Sequence, residues 1–310
     1  MIIVWLLVLV VCLFGLVKSS DWFVDSAKKI GYHFKLSPFI IGVTIVAIGT
    51  SLPELITSIF SVRNGVSEIV VGNVLGSNIA NILLVIGISA VVAKRLNAKD
   101  AHTKINFGLL LVSLLMLIGV LWDGSVVLWE SILFSVCGIL YLIYLTEATK
   151  RIKKKSDFKY NDVRVFDFVI LILSLIVLFL SSNYIIHAII EISKYFNIGT
   201  EVIAATVISI GTSLPELSVS LTTLKKKEND MLIGNILGSN LFNTFAVIGI
   251  AGLFGSIVAP LSMVVSSLTF LIIATLLYFI IVKDNKISLR EGVLMLALYV
   301  TFILRIVGVF

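Results

Sequence analysis

Long apolar runs alternate with short polar links from one end of the chain to the other. Most runs have about 20 residues or more, the length that an α-helix needs to cross a bilayer. No polar stretch is long enough to form a separate soluble domain. The pattern therefore predicts an all-α membrane protein with ten transmembrane helices. The predicted spans are 2–27, 38–63, 68–93, 105–122, 125–146, 165–190, 200–224, 231–255, 261–282 and 289–309.

The sequence contains an internal duplication. An offset of 162 positions aligns residues 19–89 with residues 181–251 without a gap. Within this alignment, GTSLPEL at 49–55 recurs unchanged at 211–217. The pattern G-N-x-x-G-S-N-x-x-N at 72–81 also has a second copy at the same offset. Self-similarity of this kind predicts two copies of one structural unit.

Each half of the chain has five predicted spans. Because five is odd, the second half must enter the membrane from the side opposite to the first. The prediction is two inverted five-helix repeats, residues 1–146 and 165–310, joined by a basic cytoplasmic linker at 147–164.

Basic residues give the expected orientation in the membrane. Cytoplasmic links collect Lys and Arg, and an extracellular N-terminus places all but four of the 24 basic residues in cytoplasmic links. The exceptions are Lys18, Arg63, Lys194 and Arg305. We expect a multi-pass protein of the cell membrane with both termini extracellular. The net charge of +6 then reflects topology, so the lipid bilayer is the expected partner, with no nucleic acid and no obligatory protein partner.

Two glutamates, Glu54 and Glu216, fall deep inside predicted spans. A carboxylate at the centre of a membrane helix is unfavourable by about 2.5–3.5 kcal/mol on insertion scales, so it needs a partner or a function. The basic residues are placed in links or near span ends, where they cannot neutralise these carboxylates. We expect the counter-charge to come from solution, as metal cations or protons.

Prolines accompany both glutamates. Pro53 cannot donate a hydrogen bond to the carbonyl of Gly49, and Pro215 has the same relationship to Gly211. These positions predict helices that break or kink near the midplane, which membranes tolerate where the backbone is buried in protein or lines a wet cavity. The freed carbonyls are candidate cation ligands. They belong to residues around Ala47, Gly49 and Thr50, and around Ser209, Gly211 and Thr212.

Small polar side chains surround the glutamates on the predicted helices. Helical spacing places Thr50 and Ser51 beside Glu54, and the same spacing recurs around Glu216 with Thr212 and Ser213. Further polar side chains recur every four residues on the following helix of each repeat, at Asn73, Ser77 and Asn81 and at Asn235, Ser239 and Asn243. We predict cation ligation by Ser77, Asn81, Ser239 and Asn243. We predict hydrogen bonds between helices for Asn73, Asn78, Asn235 and Asn240.

The predicted ligands are all oxygen atoms. Carboxylate, hydroxyl, amide and backbone oxygens suit Ca²⁺, whereas zinc and copper favour His and Cys, which neither motif contains. Mg²⁺ fits less well because it gives up its water reluctantly. Na⁺ is another hard cation that can use the same oxygens. The expected cargo is therefore Ca²⁺ and Na⁺, with no cofactor.

The paired GTSLPE and G-N-x-x-G-S-N-x-x-N motifs resemble the alpha repeats of the calcium/cation antiporter superfamily, in particular its prokaryotic sodium/calcium exchanger branch. The resemblance implies ten helices, alternating access by sliding of the first and sixth helices, and ion sites near the midplane. It also implies an electrogenic secondary antiporter that uses inward Na⁺ movement to expel Ca²⁺.

The same resemblance assigns the ion sites. It gives Ca²⁺ to Glu54 and Glu216 and to the backbone oxygens of Thr50 and Thr212. It gives Na⁺ to sites built from the two glutamates with Ala47, Ser51, Ser77, Ser209, Ser213 and Ser239, and places Asn81 and Asn243 at the middle position. Some relatives have Asp in place of Asn243, a choice associated with potassium dependence, so Asn here disfavours potassium co-transport.

Three other functions are compatible with parts of the pattern. A proton/calcium exchanger would use the same glutamates, although the proton-coupled branch usually has a G-N-A-x-E motif instead. A passive channel does not need an inverted duplication with broken helices, which is typical of alternating access. An intramembrane enzyme is disfavoured because Ser51 and Ser213 have no nearby His or Lys base, so we expect no catalytic activity.

Overall fold

The computed structural model describes residues 2–97, 102–152, 163–195, 211 and 213–308. Helices account for most of this described part, and seven of them are long and apolar enough to cross a membrane. The helices are α1 (Ile2–His33), α2 (Pro38–Arg63), α3 (Glu68–Ala93), α4 (His102–Val120), α5 (Leu128–Ile152), α6 (Val165–Tyr195), α7 (Leu214–Lys225), α8 (Asn229–Gly252), α9 (Leu261–Val282) and α10 (Leu289–Ile306). Helices α2, α3 and α9 have the predicted bounds. Much of the predicted span 200–224 lies outside the described residues.

Local sequence signals define where several helices begin. Helix α2 starts at Pro38, whose fixed φ suits a first helical position, and the preceding Ser37 caps it by accepting a 3.3 Å hydrogen bond from the Ile40 backbone. Helix α10 starts with a capping box between Ser288 and Glu291. These caps satisfy backbone donors that the first turn of a helix leaves without partners.

In the described residues, three wide turns of π-helix interrupt the α-helical hydrogen-bond pattern, and nothing in the sequence pattern predicts them. They are Gly42–Val46 in α2, Asn81–Val85 in α3 and Asn243–Val247 in α8. The turns in α3 and α8 begin at positions related by the 162-residue offset. Single π turns inside α-helices often mark functional sites.

Of the break or kink predicted at Pro53, a break does not occur in the first motif. Helix α2 continues through Pro53 with helical turns on both sides, and its irregular turn lies upstream at Gly42–Val46. A proline removes one hydrogen bond, and the intact bonds on either side keep the helix continuous. In the second motif, α7 begins at Leu214 and Pro215 occupies its first turn, a position that tolerates proline.

Helices α3 and α8 form the centre of the bundle, and α1 lies at its edge. In the apolar windows of these helices, 78% of the α3 residues and 89% of the α8 residues are buried, compared with 11% for α1. Helix α1 packs along α6 through an apolar cluster that includes Leu16, Phe23, Leu178 and Ile185. The large exposed apolar surface of α1 and α6 is that of helices facing lipid.

Glycines allow α2 and α8 to approach closely. A Cβ atom at Gly42 would lie 2.2 Å from the Met231 carbonyl oxygen, and one at Gly234 would lie 2.4 Å from the Phe39 carbonyl oxygen. Both neighbours are backbone atoms that cannot rotate away. The contact therefore requires glycine at both positions.

Within the described residues, two short antiparallel ribbons join links from different halves of the chain. Strand β1 (Arg95–Asn97) pairs with β4 (Lys286–Ser288), with Leu96 opposite Ile287. Strand β2 (Ser125–Val126) pairs with β3 (Ile257–Val258). Each ribbon connects two links that the span count places on the same membrane face.

Ion pairs connect one end of α1 to its neighbours. The pairs join the C-terminal end of α1 to the link between α7 and α8 and to the start of α6. The predicted spans put all three segments on the same membrane face. The pairs are Lys28 Nζ with Glu228 Oε1 at 2.6 Å, Lys226 Nζ with Asp25 Oδ1 at 2.7 Å and Lys29 Nζ with Asp167 Oδ1 at 3.0 Å. All three are partly exposed to solvent, where each contributes little by itself.

Candidate cation-binding site

Both motif glutamates are buried in the interior of the bundle. Glu54 on α2 and Glu216 on α7 are each 1% exposed. Within the described residues, neither carboxylate forms an ion pair, and no group of three or more His, Cys, Asp or Glu side chains is assembled. The two negative charges therefore have no compensating lysine or arginine in this part of the structure.

The two copies of the motif meet through side chains. Ser51 Oγ donates a 3.4 Å hydrogen bond to Glu216 Oε1, which joins α2 to α7. Thr50 Oγ1 lies 3.4 Å from the Ala47 carbonyl oxygen and 3.4 Å from Asn235 Oδ1 on α8. Residues separated by more than 160 positions in the sequence are thus brought to one place.

Seven buried side-chain oxygen atoms of the predicted ligands have no hydrogen-bond partner in the described part of the chain. Leaving a buried polar group without a partner costs about 1–3 kcal/mol, and more for a charged group. Cations that bind between these oxygens would supply the missing interactions. The oxygens are Glu54 Oε1 and Oε2, Glu216 Oε2, Ser213 Oγ, Ser239 Oγ, Asn81 Oδ1 and Asn243 Oδ1.

The remaining predicted ligands differ in how far the structure describes them. Ala47, Thr50 and Ser77 are buried in α2 and α3. Ser209 and Thr212 lie outside the described residues. The structure therefore places Ser51 against Glu216 but gives no geometry for these two second-motif residues.

The structure confirms the predicted hydrogen bonds between helices. They are formed by Asn73, Asn78, Asn235 and Asn240. Asn73 on α3 donates 3.3 Å hydrogen bonds to Ser58 Oγ and to the Glu54 carbonyl oxygen, both on α2. At the same offset of 162, Asn235 on α8 donates a 3.3 Å bond to Ser220 Oγ on α7. The equivalent pairs attach each glutamate-bearing helix to the next helix of its own half.

Asparagines also link α3 to α8 across the two halves. Asn81 Nδ2 donates a 3.0 Å hydrogen bond to Asn240 Oδ1, and Asn240 Nδ2 donates a 3.3 Å bond to the Asn78 carbonyl oxygen. Asn78 Nδ2 donates a 3.1 Å bond to Thr244 Oγ1. Asn81 and Asn243 are each fully buried and each begins a π turn.

A small cavity of about 90 Å³ lies beside Glu54, between α2, α6 and α7. This volume accommodates several water molecules. Its lining includes Thr57, Ser182 and Asn183, which the sequence analysis did not select. Ser182 aligns with Ser20 under the duplication, so a comparison of the two halves for polar residues on α1 and α6 would have found it.

Comparisons with known proteins agree with this architecture. The family model described as "Sodium/calcium exchanger protein" matches residues 4–147 and again 166–308. A membrane protein of Methanocaldococcus jannaschii is 37% identical over 91% of both chains, and the sodium/calcium exchanger MaX1 of Methanosarcina acetivorans is 30% identical over 98% of both chains.

A solved structure of the sodium-calcium exchanger NCX_Mj has the same fold. It superimposes with a TM-score of 0.79 at 34% identity and covers 97% of this chain and 98% of its own. The family model matches most of the sequence, and both relatives are similar over nearly their whole length. The chain therefore belongs to the sodium/calcium exchanger family of membrane antiporters.

Proposed function

We propose that this antiporter exchanges Na⁺ for Ca²⁺ across the cell membrane by alternating access and expels Ca²⁺ electrogenically. The observation that carries the proposal is the pair of buried glutamates, one from each motif, which no basic side chain neutralises in the described part of the chain. Leaving two carboxylates in a low-dielectric interior is costly, so cations that bind there are held strongly.

The donor set suits both cargo ions. Ca²⁺ takes six to eight oxygen ligands in flexible geometry, and the unpaired carboxylate, hydroxyl and amide oxygens offer this chemistry. Na⁺ can use the same oxygens. Because both ions compete for one pair of glutamates, binding of Na⁺ displaces Ca²⁺ and couples their movements. The proposed ligands are Glu54, Glu216, Thr50, Thr212, Ser51, Ser213, Ala47, Ser209, Ser77, Ser239, Asn81 and Asn243.

We further propose ten transmembrane helices in two inverted repeats, residues 1–146 and 165–310, joined by a cytoplasmic linker at 147–164. The separate family matches to the two halves support this division. The ribbons β1–β4 and β2–β3 also support it, because each joins links that ten spans would place on one membrane face. The basic links support a cytoplasmic location for the first ribbon and extracellular termini.

The test is uptake of radiolabelled Ca²⁺ into proteoliposomes that contain the purified full-length chain. We expect uptake when Na⁺ is loaded inside and diluted outside, and little uptake under equal Na⁺ or an imposed potassium gradient. An inside-negative membrane potential should slow this uptake, because exchange of more than two Na⁺ for one Ca²⁺ carries net positive charge outward. Uptake driven by a pH gradient and indifferent to Na⁺ would replace the proposal with proton/calcium exchange.

A further inference from the structure

The asparagine chain between α3 and α8 has a direction that hydrogen-bond chemistry fixes. The carbonyl oxygen of Asn78 can only accept, so the Asn240 side-chain atom 3.3 Å from it must be the amide nitrogen. The other end of the Asn240 amide is therefore its oxygen. The Asn81 atom 3.0 Å from that oxygen must then be the Asn81 nitrogen.

Because the Asn81 amide nitrogen faces Asn240, the Asn81 amide oxygen points away from Asn240. The oxygen is buried and has no hydrogen-bond partner among the described residues. With its nitrogen engaged, the Asn81 amide cannot turn its N–H groups toward a cation without losing the bond to Asn240. The bond to Asn240 thus leaves only the Asn81 oxygen available to face a cation.

The equivalent arrangement does not occur in the other half. Asn243 corresponds to Asn81, but neither its Nδ2 nor its Oδ1 has a hydrogen-bond partner in the described structure. Asn78 corresponds to Asn240, and its amide contacts the Thr244 hydroxyl instead of a backbone carbonyl. A hydroxyl can donate or accept, so it does not fix an amide in one orientation.

A sequence difference accounts for this asymmetry. Thr244 corresponds to Ile82 under the 162-residue offset, and an isoleucine offers nothing for an asparagine amide to bond. The duplicated site therefore has one amide held in a single orientation and one that is not held.

We propose that Asn240 is a positioning residue for cation binding, which holds the Asn81 amide with its oxygen toward the ion. Asn240 itself does not contact the ion. The proposal rests on the proposed function, since it deepens the role of Asn81 in the same site. It assigns unequal tasks to the two middle asparagines: Asn81 supplies a fixed oxygen, and Asn243 adapts its amide to the bound ion.

The test compares Asn240→Leu with Asn78→Leu in the full-length protein. Both side chains are almost fully buried at equivalent positions. Removal of the Asn78 side chain leaves its backbone carbonyl in place and so preserves the orientation of Asn240. Half-saturating Ca²⁺ and Na⁺ concentrations and maximal rates are measured by Ca²⁺ uptake into proteoliposomes.

We expect Asn240→Leu to raise the half-saturating concentration of at least one ion roughly tenfold, the factor that corresponds to loss of one hydrogen bond. The maximal rate should change much less. Asn78→Leu should change the half-saturating concentrations less than about twofold, since it breaks no bond to Asn81. Equal effects of the two variants would overturn the proposal.

A second comparison separates positioning from general damage to packing. In an Asn81→Asp background, both side-chain atoms that can face the ion are oxygens, so orientation no longer matters. There, Asn240→Leu should cause no loss of ion affinity, because the substituted carboxylate has no N–H for the Asn240 oxygen to accept, whereas a tenfold loss in this background would refute the positioning role. Asn240→Ala serves in both comparisons if the leucine variant does not fold.

Radiolabelled Ca²⁺ binding to the purified protein in detergent distinguishes this proposal from the proposed function. Absence of Na⁺-driven uptake by the wild-type chain would contradict the exchanger function. Ca²⁺ binding and its displacement by Na⁺ that are both the same for wild type, Asn240→Leu and Asn78→Leu would contradict the role of Asn240 alone.

Discussion

Ser51 donates a hydrogen bond to Glu216 across 3.4 Å, and this contact joins the first copy of the GTSLPEL motif to the second. Ser51 lies one helical turn before Glu54 on α2, so the contact brings the neighbourhoods of both glutamates together. Side chains of both motifs therefore meet at one place in the bundle. This relationship leads to expectations for the glutamates, for the cations and for the packing that holds the helices in place.

Replacement of either glutamate by glutamine should abolish transport without unfolding the protein. Glu54→Gln or Glu216→Gln removes a charged oxygen whose interaction with a cation is worth about 3 kcal/mol, so we expect Ca²⁺ uptake to fall about hundredfold or more. Uptake into proteoliposomes measures the loss. Glu68→Gln, at the exposed start of α3, is the matched control and should transport normally. Sodium-driven uptake near the wild-type level in either site variant would contradict the assignment.

Bound Ca²⁺ should stabilise the wild-type protein. A ligand that binds only the folded state adds about 2.7 kcal/mol at a concentration 100 times its dissociation constant. We expect the unfolding temperature in detergent to rise as Ca²⁺ is added and to fall again with a chelator. The Glu54→Gln variant should show little response. An equal rise in both proteins would indicate that Ca²⁺ binds elsewhere.

A third carboxylate at the middle of the site should alter the response to Na⁺. Asn243 is fully buried, and its amide has no hydrogen-bond partner in the described part of the chain. We expect Asn243→Asp to shift the Na⁺ concentration that gives half-maximal exchange, because it adds a negative charge beside Glu54 and Glu216. Sodium titration of Ca²⁺ uptake measures the shift. An unchanged titration would count against an ion-facing position for Asn243.

Close packing of α2 against α8 should make Gly234 intolerant of a methyl group. The added Cβ would lie 2.4 Å from the Phe39 carbonyl oxygen, and overpacking of this kind costs about 1–3 kcal/mol. We expect Gly234→Ala to lower the unfolding temperature and the yield of folded protein. Gly119→Ala, on an exposed face of α4 with no described atom within 4 Å, is the control and should be neutral or slightly stabilising. Equal stability of the two variants would show that α2 and α8 are not packed this tightly.

Charge reversal should reveal the contribution of the ion pairs at the end of α1. Lys226 lies 2.7 Å from Asp25 and 3.8 Å from Asp21. We expect Lys226→Glu to destabilise the protein by about 1 kcal/mol, since exposed ion pairs are individually weak. Combining it with Asp25→Lys should restore part of the loss. Thermal unfolding at low and high salt measures both effects, which should shrink as salt screens the charges. A double variant less stable than Lys226→Glu would argue against a direct pairing.

Local sequence information was enough to predict much of the fold. Helices α2, α3 and α9 have the predicted bounds because uniform apolar runs between polar links mark the ends of membrane spans. The roles of Asn73 and Asn235 were also predictable, since a buried amide in a membrane helix needs a partner on another helix. The burial of Glu54 and Glu216 follows from their positions within apolar runs.

Features that depend on contacts between distant segments were not predictable. The ribbons have strands of two or three residues, such as Ser125–Val126, which are too short to show a period in the sequence. The continuity of α2 through Pro53 depends on intact turns on both sides, whereas the proline alone predicts a break. The unequal environments of Asn81 and Asn243 arise from partners on the opposite half, and only the exchange of Ile82 for Thr244 hints at them.

The two ribbons limit the motions that are open to this protein. Strand β1 belongs to the first half and β4 to the second, and the same division separates β2 from β3. The ribbons thus join the two halves at two places. The ten predicted spans put these two places on opposite membrane surfaces. A rocking motion of one half against the other would have to break the hydrogen bonds of both ribbons. Neither ribbon includes α1 or α6, so movement of this peripheral pair past the centre of the bundle is compatible with intact ribbons.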